Sequence, residues 1–554
     1  MNAKGLIRLF HTVKYLRFKQ VYYRLYYAVF AKLRAHTIQE ICCNTRIWTK
    51  VWSSPRPLPS PFISATELHF LGERGHVQCA HDWNAPHRSK LWLYNLHYFD
   101  ALNANEADTH TNDLQELINR WTQDNPPCEG IGWEPYPLSL RLVNLVKWYS
   151  RKAAYVTSSV LASLAQQTQA LSKQIEYHIL GNHLFANGKA LVFSGAYLSG
   201  LHADRWLKQG LTILDKEIQE QFLADGGHFE LSPMYHATLL WDMCDLVNLA
   251  QCSGLVELTQ RQTQWQAIIV RGLAWLDTML HPDQKISFFN DAAFGIAPEY
   301  ADIAKYALQL GIKTHHQKKD GLSYDWLPHS GYCAVNLGEK SKLLVDMAHI
   351  GPNYQPGHAH ADTLSFEMSV YGQRLFVNSG TSVYAEGALR EYERSTSAHN
   401  TLSIHQENSS EVWAAFRVAR RAYPKNCVIK WDNDELISIA ASHNGYKRLP
   451  GRNMHRRAWM VSSQKLLLRD VVTGTFREAK ARFYFHPDVS VDIVGDGLVT
   501  CRLTNAQEVL IKIEGFNQLK LDDTFWSPQF GVRQPNKCLV IDMKARELLT
   551  EITW

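Results

Sequence analysis

No run of 18 uncharged apolar residues occurs in the 554-residue chain, so no membrane-crossing helix is expected. Its ten cysteines are scattered, with no CxxC pair and no zinc-finger spacing. Such thiols read as small buried residues and favour a reducing compartment over a disulfide framework. Glycine (31) and proline (20) stay at ordinary levels and 45% of residues are hydrophobic, which excludes a collagen-like, low-complexity or disordered chain. Neither sign of charge dominates: 58 Lys and Arg against 53 Asp and Glu leave +5. That balance does not require nucleic acid as a partner, although it suits a polyanion. Acid is missing in one place, since none precedes Glu40 while Lys4, Arg8, Lys14, Arg17, Lys19, Arg24, Lys32 and Arg34 do. Charges break the apolar residues of this stretch and no small-residue cleavage site follows, so it does not read as a signal peptide. Residues 1–36 instead have the pattern of a basic amphipathic helix able to contact an anionic membrane surface. The plainer account is a first helix packed on the body with a solvated basic face.

The chain is too long for one core, and two large domains behind a basic terminal segment, 1–60, are expected. From about 90 to 310 the pattern is helical. Leu138, Leu142, Leu145 and Tyr149 share one helix face, and 159–173, 211–222, 237–250 and 263–279 read the same way. Short turn clusters between them point to a helical bundle or an (α/α) toroid over 61–320. The polar, basic stretch 313–325 marks the boundary. Beyond it short β-rich runs dominate, with Tyr371-Gly372-Gln373 joining two as a hairpin turn, and an antiparallel β-sandwich is expected over 321–554. The fold class is therefore α+β with two domains. Aromatics make up 11% of the chain, which core packing explains as readily as rings stacked on sugars do.

Four segments concentrate reactive side chains. In Gly181-Asn182-His183-Leu184, a polar pair opens an apolar helix, and Asn182 as a helix N-cap is the plainer account. In Phe229-Glu230-Leu231-Ser232-Pro233-Met234-Tyr235-His236, Ser232 is placed to cap a helix and Pro233 to begin it, with Tyr235 and His236 in its first turn. Tyr235 can deliver a proton there, or simply pack with its hydroxyl satisfied. Gly357-His358-Ala359-His360-Ala361-Asp362 sets two histidines at i and i+2, on one side if the segment is a strand, and His-x-His can seed a metal site. Arg390-Glu391-Tyr392-Glu393-Arg394 with His399 nearby offers guanidinium forks for acidic groups, unless Glu391 and Glu393 occupy them locally.

In their order along the chain, Trp133–Asn144, Gly181–Leu184, Phe229–His236, Gly357–Phe366 and Ala398–Leu402 resemble the heparinase II/III family of polysaccharide lyases, over roughly residues 90 to 530. The resemblance implies an incomplete (α/α) toroid followed by an antiparallel β-sandwich, and β-elimination on a uronic-acid-containing acidic polysaccharide. It implies that Asn182 contacts the substrate carboxylate and that Tyr235 protonates the leaving oxygen, also acting as base for one C5 epimer. It implies that His358 serves as base or supports Tyr235, and that His399 lines the cleft. His183, Glu230, His236, Arg390 and Arg394 are carried as substrate contacts. No cofactor is required. His360 resembles a ligand of a structural zinc found in part of the family, but where an acidic ligand is expected this chain has Asn378, a poor zinc ligand. Without a signal peptide the expected location is the cytoplasm or the cytoplasmic face of the membrane, in surface-polysaccharide or capsule metabolism, with the periplasm or cell envelope as the alternative. A glycoside hydrolase would need two facing carboxylates, for which Glu134 and Glu230 are the candidate pair. A non-catalytic glycan-binding protein is the third reading.

Overall fold

The computed structural model describes residues 3–35, 38, 41–314, 321–433 and 435–554. Two helices open the chain, α1 (Ala3–Val13) and α2 (Phe18–Ala35). The helical region follows as α3 (Lys90–Tyr98), α4 (Thr111–Asp124), α5 (Pro135–Arg151), α6 (Ser158–Ser172), α7 (Gly181–Tyr197), α8 (Leu201–Gln221), α9 (Pro233–Ser253), α10 (Val256–Thr259), α11 (Gln262–Thr278) and α12 (Tyr300–Gln309). A small antiparallel sheet, Phe62–Ser64, Glu67–Phe70 and Glu73–His76, precedes it; the sequence pattern gave no warning of these short strands. The stretch 315–320, inside the expected domain boundary, lies outside the described residues, as do residues 1, 2 and 36 of the expected N-terminal helix.

Helices α7 and α8 can lie close because small residues face each other. A Cβ on Gly195 would come within 2.6 Å of the Leu207 backbone nitrogen, and one on Gly210 within 2.7 Å of Gly188 O. Four helices converge on a buried ion cluster. Lys147 Nζ lies 2.5 Å and Lys189 Nζ 2.6 Å from Asp245, Lys189 also reaches Asp242 at 2.5 Å, and Tyr306 Oη donates to Asp245 at 3.1 Å. Each charge in it has a partner, and deleting one partner of such a buried group costs about 3–5 kcal/mol.

Downstream of 321 the chain is built of strands. An antiparallel meander of five, Leu322–Leu327, Tyr332–Leu337, Lys342–Asp346, Phe366–Val370 and Gln373–Phe376, faces the helices. Val370 pairs with Gln373 across Tyr371 and Gly372, both at positive φ (53° and 83°), as a tight two-residue hairpin demands. An eight-stranded sheet, a four-stranded sheet and a two-stranded ribbon, Val412–Trp413 with Arg417–Val418, complete the described region. In the larger sheet Met454–Ser462 alternates buried and less buried positions, the signature of one face on a core. Phe366, Trp459, Phe483 and Ile552, drawn from the three sheets, belong to one buried apolar cluster.

The two regions are stitched where the site lies. Asp225 accepts from the backbone N–H groups of His329 and Ser330, Trp275 Nε1 donates to Ser330 Oγ, and Tyr332 Oη donates to Leu231 O at 2.7 Å. One local expectation fails. Residues 357–362 form a loop, not a strand. The backbone groups of that loop are engaged elsewhere: Asn290 Oδ1 takes the His360 N–H, Arg394 Nε the Ala359 carbonyl, and Arg394 O the Ala361 N–H.

Candidate active site

Helix α9 begins as its sequence foretells: Ser232 accepts the Tyr235 N–H at 3.2 Å and Pro233 occupies the first turn. The Ser232 hydroxyl also donates to Asp291 O at 2.5 Å, which seats the helix start against residues 290–291. Tyr235 then points at the strand-rich region. Its hydroxyl lies 2.9 Å from that of Tyr384, and its ring lies 3.9 Å from the His358 ring. Burial, reinforced by Tyr384, pushes the Tyr235 phenol well above its ordinary pKa, so it stands as a neutral O–H donor.

His358 is held by Asp291, whose Oδ2 lies 2.9 Å from Nδ1. Burial alone would protonate Asp291. Arg390 opposes that with a two-pronged pair at 2.5 and 2.7 Å, and with His358 and His360 it keeps the carboxyl well below the usual range. An anion at Nδ1 fixes the hydrogen on that nitrogen and leaves Nε2 as an open lone pair. Nε2 faces Glu230 Oε2 at 3.6 Å.

Glu230 joins this pair to α7. Its Oε1 accepts the Asn182 backbone N–H at 3.3 Å, at the positive end of the helix. Among the described residues, Asn182 Oδ1 and Glu230 Oε2 have no hydrogen-bond partner although both are buried. Leu180, not Asn182, is the N-cap, so the capping account of Asn182 does not hold. Burial raises the Glu230 pKa despite His358. Next to Asn182, His183 stacks on Tyr136 at 4.2 Å, with Nδ1 3.0 Å from Glu176. Burial works against its charge, but Glu176 prevails and raises its pKa. Asn182, His183, Glu230, Tyr235 and His358 are therefore gathered in one cluster. The backbone around it is strained: Leu180, Leu231, Asn290 and Leu364 all have left-handed φ, between 57° and 72°.

Six expected residues have other tasks. His236 sits behind the site, its Nδ1 accepting the His228 N–H and its Nε2 donating to Gly272 O, so it cannot touch a substrate. Arg390 and Arg394, expected as sugar contacts, are wholly buried. Arg390 serves Asp291, while Arg394 binds the carbonyls of Ala359, Ala414 and Ala415. Their local acids do not occupy them; Glu393 accepts from Ser382 instead. His399, expected in the cleft, is also buried, with Nδ1 2.7 Å from Ser395 O and Nε2 3.0 Å from His360 Nδ1. His360 Nε2 lies 2.8 Å from Asp291 Oδ1. Zinc does not fit here. Both His360 nitrogens are engaged, and the Asn378 amide donates to Phe288 O and accepts from the Asn400 N–H. No group of three or more His, Cys, Asp or Glu able to hold a metal occurs among the described residues.

Asp291 and Tyr384 are the site residues that sequence reasoning missed. Asp291 carries a signal, being half of an Asn-Asp pair inside the otherwise apolar stretch 288–294. Tyr384 carries none. Of the carboxylates considered for hydrolysis, Glu134 is engaged with the Tyr94 hydroxyl and, at 2.9 Å, with Lys90.

Residues 86–308 match the family model described as Heparinase II/III N-terminus, and residues 320–554 the one described as Heparinase II/III-like, C-terminal. A heparin-sulfate lyase of Bacteroides stercoris is 24% identical over 315 residues, covering 54% of this chain and 45% of its own. One of Pedobacter heparinus is 26% identical over 352 residues, covering 58% and 52%. The chain thus spans about half the length of the curated relatives it matches. Two solved structures share the fold. A heparinase III crystal structure has TM-score 0.67 and 17% identity, covering 88% of this chain and 79% of its own. A heparan sulfate lyase from Pedobacter heparinus has TM-score 0.56 and 17% identity, covering 88% and 81%.

Proposed function

Because the chain belongs to the heparinase II/III family, we propose that it is a polysaccharide lyase that cleaves a uronic-acid-containing acidic polysaccharide by β-elimination. In the finer architecture of this reading, 61–320 is an incomplete (α/α) toroid and 321–554 an antiparallel β-sandwich, with the substrate groove between them. A base removes the C5 proton of the uronate, electrons pass into a C4–C5 double bond, and the C4–O bond breaks as its oxygen gains a proton.

His358 Nε2 is the base in this reading. Asp291 at Nδ1 holds the tautomer and balances the imidazolium that forms. Tyr235 protonates the leaving oxygen, a role that suits a phenol whose pKa is raised rather than lowered. Asn182, with the α7 N-terminus and the cation-prone His183, neutralises the uronate carboxylate, which makes the C5 proton removable. Glu230, its pKa raised by burial, takes up a proton as an acidic sugar approaches and so does not repel it.

The observation that carries the reading is the His358 ring, held to Asp291 on one edge and lying 3.9 Å from Tyr235. In this reading base and acid act side by side on one sugar ring. A panel of heparan sulfate, hyaluronan and alginate, read by the ultraviolet absorbance of new unsaturated ends, tests it. Absorbance with at least one polymer, abolished in His358→Ala, is the expected result; cleavage without it indicates hydrolysis.

A further inference from the structure

Helices α1 and α2 are mounted inside out. In a surface helix the apolar stripe normally turns to the core and the polar stripe to solvent. Here polar and aromatic side chains hold the body, Tyr23 and Tyr27 of α2 packing on Tyr177 and His178. Arg17 pairs with Glu220 and stacks on Tyr354 at 3.7 Å, Gln20 (1% exposed) donates to Ile179 O and Tyr354 O, and Trp413 Nε1 donates to Thr12 at 3.1 Å. Tyr15 bonds Tyr423 and lies under the Arg421 guanidinium at 3.8 Å. The apolar side faces outward: Phe10 is 65% exposed, Phe18 83%, Leu25 65% and Val29 69%. With Tyr22, residues 18, 25 and 29 follow spacings of 4, 3 and 4, which is one continuous helix face. An apolar strip of this length, set outward by specific polar anchors, marks a contact surface rather than chance exposure.

We propose that this face binds an anionic lipid bilayer, with α1 and α2 lying in its interfacial plane. Charge selects the occupant. The sequence holds no acid before Glu40, and the exposed Arg8 and Lys14 border the apolar strip, while Arg17, Lys19 and Arg24 turn to Glu220, Tyr177 and the His178 carbonyl of the body. A second copy would set this basic surface against itself, whereas anionic headgroups complement it. No described helix is long and apolar enough to cross a membrane, so the helices rest on the bilayer surface. Through Arg17 and Gln20 the lipid-facing helices are joined to Tyr354, four residues before His358 in the chain. Binding is independent of turnover.

The full-length protein is sedimented with phosphatidylcholine vesicles containing phosphatidylglycerol and with phosphatidylcholine vesicles alone, at low and high salt. Binding to the anionic vesicles is expected, falling as salt rises. The variant Phe18→Glu/Leu25→Glu weakens it at least tenfold, with thermal melting unchanged because both side chains are exposed. Failure of the wild type to bind anionic vesicles, or equal binding by the variant, overturns the proposal. So does a lipid-free dimer, seen by light scattering and broken in the variant, which would assign the face to a second copy.

Discussion

Replacing Asp291 by Asn keeps the shape of the side chain and removes its charge. Four groups then lose an anion: Arg390 at 2.5 and 2.7 Å, His358 at 2.9 Å, His360 at 2.8 Å and Thr381 at 3.3 Å. Arg390 suffers most, because its fully buried guanidinium keeps its charge without a counter-ion; a broken buried pair costs about 3–5 kcal/mol. The chemistry suffers separately. Without the anion nothing holds the hydrogen on His358 Nδ1, so the open Nε2 lone pair is lost for much of the time, and rate falls by roughly 10²–10⁴. The double variant Asp291→Asn/Arg390→Met separates the effects, since it removes the orphaned charge as well. Melting temperature should fall in the single variant and recover in part in the double, while the rate of unsaturated-end formation stays low in both. A double variant that regained rate along with stability would show Asp291 to be structural only, and a single variant with normal rate would refute the assignment of His358 as base.

Tyr235→Phe deletes a hydroxyl whose partner is the Tyr384 hydroxyl, so stability should change by about 1 kcal/mol or less while rate falls roughly 10²–10⁴-fold; melting and initial-rate assays read the two apart. Gly181→Ala places a Cβ at φ 59° and 2.2 Å from Gln355 Oε1, which should cost roughly 1–2 kcal/mol from the left-handed backbone and raise KM by shifting Asn182. His97 and His236 are each locked neutral, one ring nitrogen donating to a carbonyl and the other accepting an N–H, and burial lowers their pKa values to about 3 and about 4. Their stabilisation is complete above the unfolded value near 6.5 and is lost as pH falls from there toward about 3 for His97 and about 4 for His236. At pH 5 each forfeits about 2 kcal/mol. The melting temperature should therefore drop between pH 7 and 5, with a shallower slope in His236→Gln; equal slopes would contradict this.

Much of the helical region was legible because α5, α6, α9 and α11 carry regular apolar spacing and clear start signals such as Ser232-Pro233. Strand Val532–Met543 was not, because Pro535 argues against a strand. The structure resolves this: Pro535 pairs with Phe525 on one side, beyond the reach of Ala479–Tyr484, which pairs only with residues 538–542, so the proline falls where the strand has a single strand neighbour. In the site, Asn182, Tyr235 and His358 could be named from motif order. The buried arginines could not be placed, since Arg390 and Arg394 look like surface cations until a distant Asp291 is brought to them by the fold. Burial is a tertiary property, and a sequence motif does not record which of its charges it encloses.

The most direct test of the proposed elimination is mass analysis of the new non-reducing and reducing ends formed in isotopically labelled water from heparan sulfate, hyaluronan and alginate. Elimination predicts non-reducing ends one water lighter than those of hydrolysis, with no solvent oxygen introduced at C1 of the partner reducing ends, and absent with Tyr235→Phe. Saturated non-reducing ends paired with solvent oxygen at C1 of the new reducing ends, or unsaturated ends formed at an undiminished rate by Tyr235→Phe, would contradict it.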